Sequence, residues 1–301
     1  MIAIRHVLCP VDFSDFSRRA LKHAIAIARW YEAPLTLVNV QASAAMAMAA
    51  PEMLPVMVLT AEARASLLNA MTRFAEEEAV GYVPYRCDIR EGAPANEILA
   101  SAHETFSDLI VIGTHGRSGF ERLVLGSVAE KVLRKAACPV LTVPHGDAVA
   151  TPPLYQRILC GIDFSKCSMR ALDYAMSLAQ EARAHLMVAH VFELEGAMPE
   201  AWRAIVSPRS VREELQALED ERSEKLVRAV PEQVRSSCTV ETLMARGTPY
   251  REILRLASEQ RSELIVLGIH GRSAADLFFL GSTTNQVVRH SACPVLTMRS
   301  D

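Results

Sequence analysis

The sequence lacks the features that mark several classes of protein. Its formal net charge is −3, with 32 Lys and Arg against 35 Asp and Glu, so it has no basic excess for nucleic acid or an anionic membrane. No apolar run approaches the roughly 20 residues that cross a bilayer, and the longest, residues 44–58, is interrupted by Pro51, Glu52 and Pro55. The N-terminus lacks the order of segments of a signal peptide. We therefore expect a cytoplasmic protein with neither nucleic-acid nor membrane partners.

The sequence also lacks the patterns of a disulfide framework or a metal site. The seven cysteines include no C-x-x-C pair, and an odd count does not suit a disulfide framework. Cys138 and Cys293 each precede Pro-Val-Leu-Thr, and we interpret them as small buried hydrophobic residues. The nine histidines lack the spacing of a metal site, although His115 and His270 occupy equivalent positions. We expect no metal ion held by side chains alone.

The sequence does contain one long pattern twice. CPVDFSDFSRRALKHAIAIA (9–28) reappears as CGIDFSKCSMRALDYAMSLA (160–179), and ACPVLTV (137–143) reappears as ACPVLTM (292–298). Four extra residues lie in the second copy between 192 and 245. A period near 150 residues is the size of a domain. We predict domain one at 1–146, a linker at 147–156 and domain two at 157–301.

Within each copy, short apolar runs alternate with helical patterns. Continuous apolar runs between helices are typical of a parallel sheet buried on both faces. Ser14 or Asp15 is expected to cap the first helix, and Ser127 the last. Each copy is therefore predicted to be an α/β domain with a doubly wound, five-stranded parallel sheet. The predicted strands of copy one are 4–11, 34–40, 83–89, 108–113 and 138–143, and its later helices are 60–80, 94–105 and 127–135.

This topology predicts a ligand site. Doubly wound sheets bind ligands outside the carboxyl ends of the strands, where the strand order reverses. Gly113 ends the fourth strand, and Gly126-Ser127 opens the next helix, whose N-terminus favours an anion such as phosphate. Together with Gly116, these glycines let a phosphate approach the main chain. Asp12, at the end of the first strand, repels phosphate and is expected to face the sugar or base of a nucleotide.

Each of these residues also has a purely structural interpretation. Gly113 and Gly126 are compatible with tight turns. Asp12 and its counterpart Asp163 are compatible with caps of the first helix, and Arg117 with a solvated loop position. The glycines, the Ser, the Arg and the Asp recur together in the second copy, whereas the residues between them differ. This joint recurrence favours the phosphate-binding interpretation.

The spacing G-x2-G-x9-G-S, the Asp of the first strand and the last strand CPVLTV together resemble the universal stress protein family, over nearly the whole chain, as two tandem copies. The resemblance implies a Rossmann-like or flavodoxin-like fold and, in the ATP-binding branch, an adenine nucleotide such as ATP, with Mg²⁺ held through its phosphates. It also implies an intrachain pseudo-dimer paired through the fifth strands, which dimerises again through segments 41–59 and 192–210. The implied nucleotide-binding residues are Asp12, Val40, Gly113, Gly116, Arg117, Gly126, Ser127 and Val128 in copy one, and Asp163, Val191, Gly268, Gly271, Arg272, Gly281, Ser282 and Thr283 in copy two.

The two copies are not identical around this motif. Ile269 replaces Thr114, and Ala274-Ala275 replaces Gly119-Phe120, so we expect the second site to be the weaker one.

The sequence offers few residues for catalysis. The P-loop pattern GxxxxGK[ST] is absent, and no lysine lies in either Gly-rich loop. No pairing of nucleophile and base is evident, so we assign no catalytic residue. The leading interpretation is a nucleotide-binding regulatory stress-response protein with slow or no hydrolysis and a protein partner that the sequence does not specify. The alternatives are a slow ATPase or nucleotidyl enzyme, and an interaction scaffold with vestigial nucleotide sites.

Overall fold

The structure is a computed structural model of the 301-residue chain. It describes residues 2–41, 60–78, 80–115, 125–144, 155–193, 208–271 and 280–299. In these ranges, none of the helices has the length and apolar character needed to cross a membrane. Three predicted site residues, most of the predicted linker and most of both predicted dimer segments lie outside the described residues. The three site residues are Gly116, Arg117 and Arg272.

The first copy folds as alternating strands and helices. Ser14 caps the first helix, because its hydroxyl accepts a hydrogen bond from the Ser17 N–H at 3.2 Å. Pro94 begins a later helix, where its missing N–H is not needed. The order of elements is as predicted, but all five strands start one to three residues later. The elements are β1 (Val7–Pro10), α1 (Asp15–Trp30), β2 (Leu35–Gln41), α2 (Ala61–Glu77), a 3₁₀ turn (Val80–Tyr82), β3 (Tyr85–Glu91), α3 (Pro94–Glu104), β4 (Leu109–Gly113), α4 (Ser127–Lys135) and β5 (Val140–Val143).

The second copy repeats this order with one addition. Ser165 caps its first helix, accepting from the Ser168 N–H at 3.3 Å. A short helix, Glu232–Ser237, stands where copy one has only the 3₁₀ turn, and it accounts for the extra residues of the second copy. The elements are β6 (Arg157–Gly161), α5 (Lys166–Ala182), β7 (His185–Phe192), α6 (Pro208–Arg228), α7 (Glu232–Ser237), β8 (Val240–Arg246), α8 (Pro249–Glu259), β9 (Leu264–Gly268), α9 (Ser282–His290) and β10 (Val295–Met298).

All ten strands form one sheet, in the order β3-β2-β1-β4-β5-β10-β9-β6-β7-β8. Strands are parallel within each half, and the halves join where β5 and β10 pair antiparallel, with Leu141 opposite Leu296. The predicted pairing of the fifth strands within one chain is therefore present. Because the junction is antiparallel, the carboxyl ends of the two five-stranded halves lie at opposite edges of the sheet. The strand order reverses between β1 and β4, and again between β6 and β9.

Side chains on one face of the sheet also join the halves. The Tyr31 hydroxyl donates to Glu181 Oε2 at 2.5 Å. The Ser177 hydroxyl donates to Glu181 Oε1 at 3.1 Å and itself accepts from the Ile2 N–H at 2.8 Å. Burial, followed by the Glu181 hydrogen bond, raises the pKa of Tyr31, so this hydroxyl retains its proton and acts as the donor. The network ties the end of α1 and the first described residue to α5 of the other copy.

A second contact between the halves buries an imidazole. His23, on α1, has its Nδ1 atom 3.0 Å from the hydroxyl oxygen of Tyr155, just before β6. The two rings stack with an interplanar angle of 13°, and each residue is only 7% exposed. Burial lowers the pKa of His23 to about 4. The junction of the two copies thus contains a histidine that stays neutral in the folded protein at ordinary pH.

The central junction predicts the behaviour of an isolated half. A fragment of residues 1–146 would expose the β5 edge that β10 covers in the full chain, and apolar edge strands pair with other strands. We expect this fragment to dimerise through β5, as measured by sedimentation velocity over a concentration series. A folded fragment that remains monomeric at the highest concentrations would contradict the expectation.

Candidate functional site

The first copy contains a cavity of about 310 Å³ at the carboxyl edge of its sheet. The cavity lies where β1 and β4 diverge, the switch point at which doubly wound sheets bind ligands. Ligand pockets in proteins span about 300–1,000 Å³, so this one is at the lower end of the range. Its lining residues are Pro10, Val11, Asp12, Ser17, Val38, Val40, Pro94, Ile98, Ile112, Gly113, Thr114, His115, Gly126, Ser127, Val128 and Ala129. Every copy-one candidate within the described residues is among them.

Asp12 is fixed by a tight turn after β1. Its Oδ1 atom accepts from the Ser14 N–H at 3.0 Å and from the Ser14 hydroxyl at 2.5 Å. Phe13 between them has φ of 64°, a left-handed conformation that costs a residue with a Cβ about 1–2 kcal/mol. Asp163 and Phe164 form the same turn in copy two. Neither aspartate is the N-cap; each holds the serine that is the cap, and the turn fixes the carboxylate at the strand end.

The amino end of α4 also lines the cavity. The prediction that Ser127 caps this helix is wrong: Gly126 is the N-cap, Ser127 is the first helical residue, and no side chain among the described residues caps the helix. Gly281 and Ser282 have the same roles in α9. The first N–H groups of a helix have no partner within it. An uncapped N-terminus of this kind favours an anion.

Two of the three repeated glycines have a steric role in the fold itself. A Cβ at Gly113 would lie 3.0 Å from main-chain atoms of Phe16 in α1, and one at Gly126 would lie 3.1 Å from the Thr114 carbonyl oxygen. Gly268 and Gly281 meet Cys167 and Ile269 in the same way, at 2.7 and 2.9 Å. The recurrence of these glycines therefore follows from close main-chain packing, with or without a ligand. Larger residues there would disturb the fold as well as the site.

Thr114 and His115 were not among the predicted site residues, yet both line the cavity. The Thr114 hydroxyl oxygen lies 3.0 Å from His115 Nδ1, and the imidazole packs on the Phe16 ring with centroids 5.1 Å apart. Among the described residues, His115 Nε2 is buried without a hydrogen-bond partner. Ile269 replaces Thr114 in copy two, so the bond between the hydroxyl and the imidazole belongs to copy one alone.

The apolar walls contain further residues that the motif did not identify. Val38 precedes Val40 by two positions on β2, and Ile112 precedes Gly113 on β4. Side chains two apart on a strand share a face, so the period of the strand places Val38 beside Val40. Ile98, from α3, lines the same side, and its contribution depends on tertiary packing.

The second copy packs its equivalent region differently. A Cβ at Gly161, the counterpart of Pro10, would lie 2.7 Å from Leu267 Cδ2. The Thr284 hydroxyl, where copy one has Ala129, donates to the Gly268 carbonyl at 2.8 Å. Gly271 lies against the Asp163 carboxylate, since a Cβ there would be 2.7 Å from Oδ2. The main chain at Gly271 therefore lies directly on the aspartate predicted to face the nucleoside.

His190 and Asn39, which stand at equivalent positions of the two copies, perform the same structural task. The Asn39 amide nitrogen donates to the Val11 carbonyl at 2.7 Å. His190 Nδ1 lies 2.7 Å from the Ile162 carbonyl oxygen. Each side chain bonds the residue that follows the first strand of its copy, so the substitution preserves this bond. The neighbouring Val191 lies near the end of β7, at the carboxyl edge of the sheet. The other predicted copy-two residues Ser282 and Thr283 lie at the same edge, where they begin α9.

Cys9 and Cys160, on the first strands of the two copies, have thiols that stay protonated. Burial, and then the Asp12 charge, raises the pKa of the Cys9 thiol. Burial, and then the Asp173 charge, raises that of Cys160. A thiol must ionise to act as a nucleophile or a metal ligand. Within the described residues there is also no group of three or more His, Cys, Asp and Glu side chains that could hold a metal.

The fold and the site define a tandem α/β protein with a crevice, in copy one, at the switch point of a doubly wound sheet. The family model described as the universal stress protein family matches residues 3–144 and 154–299. The chain therefore belongs to the universal stress protein family.

Individual relatives agree with this assignment. A universal stress protein of Methanocaldococcus jannaschii is 36% identical over 148 residues, which are 46% of this chain and 81% of the relative. One from Mycolicibacterium smegmatis is 28% identical over 299 residues, covering 97% of this chain and 96% of that protein. The crystal structure of a universal stress protein from Archaeoglobus fulgidus has the same fold, with a TM-score of 0.66, 24% identity and coverage of 98% of this chain and 96% of that one.

Proposed function

We propose that this protein binds an adenine nucleotide, ATP in the first instance, in the cavity of copy one, and that it acts as a regulatory stress-response protein. The observation that carries the proposal is the position of the cavity, between the Asp12 carboxylate and the uncapped amino end of α4. A carboxylate and a helix N-terminus suit opposite ends of a nucleotide. The phosphates favour the helix end, whereas the nucleoside offers hydroxyl and amino donors to the carboxylate.

The lining residues fit such a ligand. Val38, Val40, Ile98 and Ile112 supply the apolar surface that a purine ring needs, as in most small-molecule sites. Ser127, on the first turn of α4, is exposed and offers a hydroxyl to a phosphate oxygen. The cavity volume of about 310 Å³ suits the nucleoside part, which leaves the phosphates along the amino end of α4. Gly116 and Arg117 are proposed to complete the phosphate end.

The metal assignment follows from the same chemistry. Mg²⁺ prefers oxygen ligands in octahedral geometry and is commonly bound through substrate phosphates together with water. The described residues supply no carboxylate cluster of their own. We therefore propose that Mg²⁺ enters with the nucleotide and is held through its phosphates.

Copy two is proposed to bind the same ligand more weakly through Asp163, Val191, Gly268, Gly271, Arg272, Gly281, Ser282 and Thr283.

Nucleotide binding is expected to raise the melting temperature. A ligand at 100 times its Kd adds about 2.7 kcal/mol to the free energy of unfolding, and each kcal/mol shifts Tm by roughly 2–4 °C for domains of this size. We expect a rise of several degrees with millimolar ATP and Mg²⁺. Mass spectrometry of ligand released from freshly purified protein should identify an adenine nucleotide. An unchanged Tm together with ligand-free protein would refute the proposal.

Phosphate release distinguishes the remaining alternatives. A regulatory binding protein should bind ATP with slow or no release of phosphate, whereas an ATPase should turn over steadily. A scaffold with vestigial sites should neither bind nor turn over. We expect binding without steady turnover, because no nucleophile and base pair was found in the sequence.

A further inference from the structure

One arginine of the second copy reaches the helix that forms the candidate nucleotide site of the first. Arg299, directly after β10, donates from Nη1 to the Arg134 carbonyl at 3.0 Å. Arg134 is the penultimate residue of α4, so its carbonyl is among the last four, which have no partner within the helix. The bond satisfies one of these groups from outside copy one.

The same residue is anchored in its own copy. The carbonyl of Arg299 accepts from Arg170 Nη1 at 3.0 Å. Arg170 lies near the start of α5, beside the carboxyl edge of the second half. Arg299 also follows a strand fixed on both sides, by β5 and by β9. Its main chain is therefore held by copy two while its guanidinium holds α4 of copy one.

The contact is not reciprocal. The residue of copy one equivalent to Arg299 is Pro144, which has no side-chain donor. The first copy therefore has no equivalent side chain to offer to α9. The helix held from across the junction is the one whose amino end lines the copy-one cavity.

We propose that Arg299 is a positioning residue for the nucleotide site of copy one: its guanidinium holds the carboxyl end of α4 and so orients the amino end that faces the phosphates. This inference depends on the proposed nucleotide site. A cation at the carboxyl end complements the helix dipole, and α4, with nine residues, spans only about 14 Å at 1.5 Å per residue. A tilt at one end therefore moves the N–H groups at the other.

The test compares full-length Arg299→Ala with a matched control. The control, Arg157→Ala, also removes a hydrogen bond from a guanidinium to a helix end. Arg157 Nε donates to the carbonyl of Gln260, the residue that follows α8, at 2.6 Å. Unlike α4, α8 does not present its amino end as a proposed phosphate site. We expect Arg299→Ala to weaken ATP affinity, measured by calorimetry, by about two- to five-fold, in line with helix-end charge effects. Arg299→Lys should recover part of it, and Arg157→Ala should retain wild-type affinity.

Hydrogen exchange without nucleotide provides a second readout. In Arg299→Ala, amides in the last turn of α4 should exchange faster, while those of α8 should not. Unchanged ATP affinity in folded Arg299→Ala, or an equal loss in Arg157→Ala, would overturn the positioning role. If the wild-type protein binds no ATP, the proposed function fails and the nucleotide-positioning role fails with it. Exchange rates would then still decide whether Arg299 holds α4.

Discussion

Lowering the pH from 7 to 4 is expected to remove about 3 kcal/mol of folding stability through His23 alone. The imidazole has a pKa of about 4 in the folded protein, against 6.5 for the group when unperturbed, because it is buried at the junction of the two copies. Each unit of pKa difference corresponds to about 1.36 kcal/mol. This is a large fraction of the 5–15 kcal/mol typical of whole domains.

The direction of the effect follows from proton uptake. Below pH 6.5 the unfolded chain protonates His23, whereas the folded protein does so only near pH 4. The unfolded state therefore binds more protons across this window, and stability falls as the pH falls. Burial is the cause of the lowered pKa of His23. The nearest polar partner, Tyr155, has a pKa raised by burial and then by Cys293 and Glu263, so its hydroxyl is neutral throughout.

Urea unfolding at a series of pH values measures this contribution. His23→Gln retains a polar partner for Tyr155 but has no proton to gain, so its unfolding free energy should fall less steeply between pH 6.5 and 4 than that of the wild type. Carboxyl groups titrate in both proteins, and the difference between them isolates His23. Parallel slopes for His23→Gln and the wild type would contradict the expectation.

Most of the secondary structure could be predicted because the local signals agree with the tertiary fold. Buried strands such as β4 are continuous apolar runs, and α1 combines a serine cap with one apolar face. The family resemblance helped further, because it implies a pairing of the two fifth strands that the β5 and β10 ladder contains. The interdomain partners of Tyr31 and His23 could not be predicted. Those contacts depend on how α1 of copy one packs against α5 and the segment before β6 in copy two. Local sequence patterns do not specify that packing across the junction.

The glycine motif could be found in the sequence, but the group that packs against each glycine could not. A recurrent glycine indicates that something approaches the main chain closely, but the spacing does not say what approaches. For Gly113 it is Phe16 of α1, and for Gly126 it is the Thr114 carbonyl. A phosphate remains a proposal for the same loop, so a test of that proposal needs a residue whose replacement spares the packing. Ser127 meets this condition, because it is exposed and makes no cap bond.

Ser127→Asp is expected to weaken ATP binding at copy one while leaving the fold intact. A carboxylate in the first turn of a helix complements the dipole by about 0.3–1 kcal/mol, so Tm without nucleotide should be unchanged or slightly higher. The same charge would face the phosphates. Two like charges 4 Å apart repel by about 1 kcal/mol in water and about 4 kcal/mol near a protein surface, which corresponds to a loss of affinity from about five-fold to several hundred-fold.

The neutral replacement Ser127→Asn separates charge from size, and it should lose far less affinity than Ser127→Asp. Ser282→Asp makes the matched change on α9. Because the main chain at Gly271 already lies on Asp163, we expect Ser282→Asp to cause the smaller loss of total binding at low ATP. Calorimetry of the variants, with circular dichroism to establish folding, measures both effects. Wild-type affinity in a folded Ser127→Asp, Ser282→Asp double variant would show that neither helix end faces a phosphate. A larger loss from Ser282→Asp alone would reverse the ranking of the two sites but leave the assignment of the phosphate end in place.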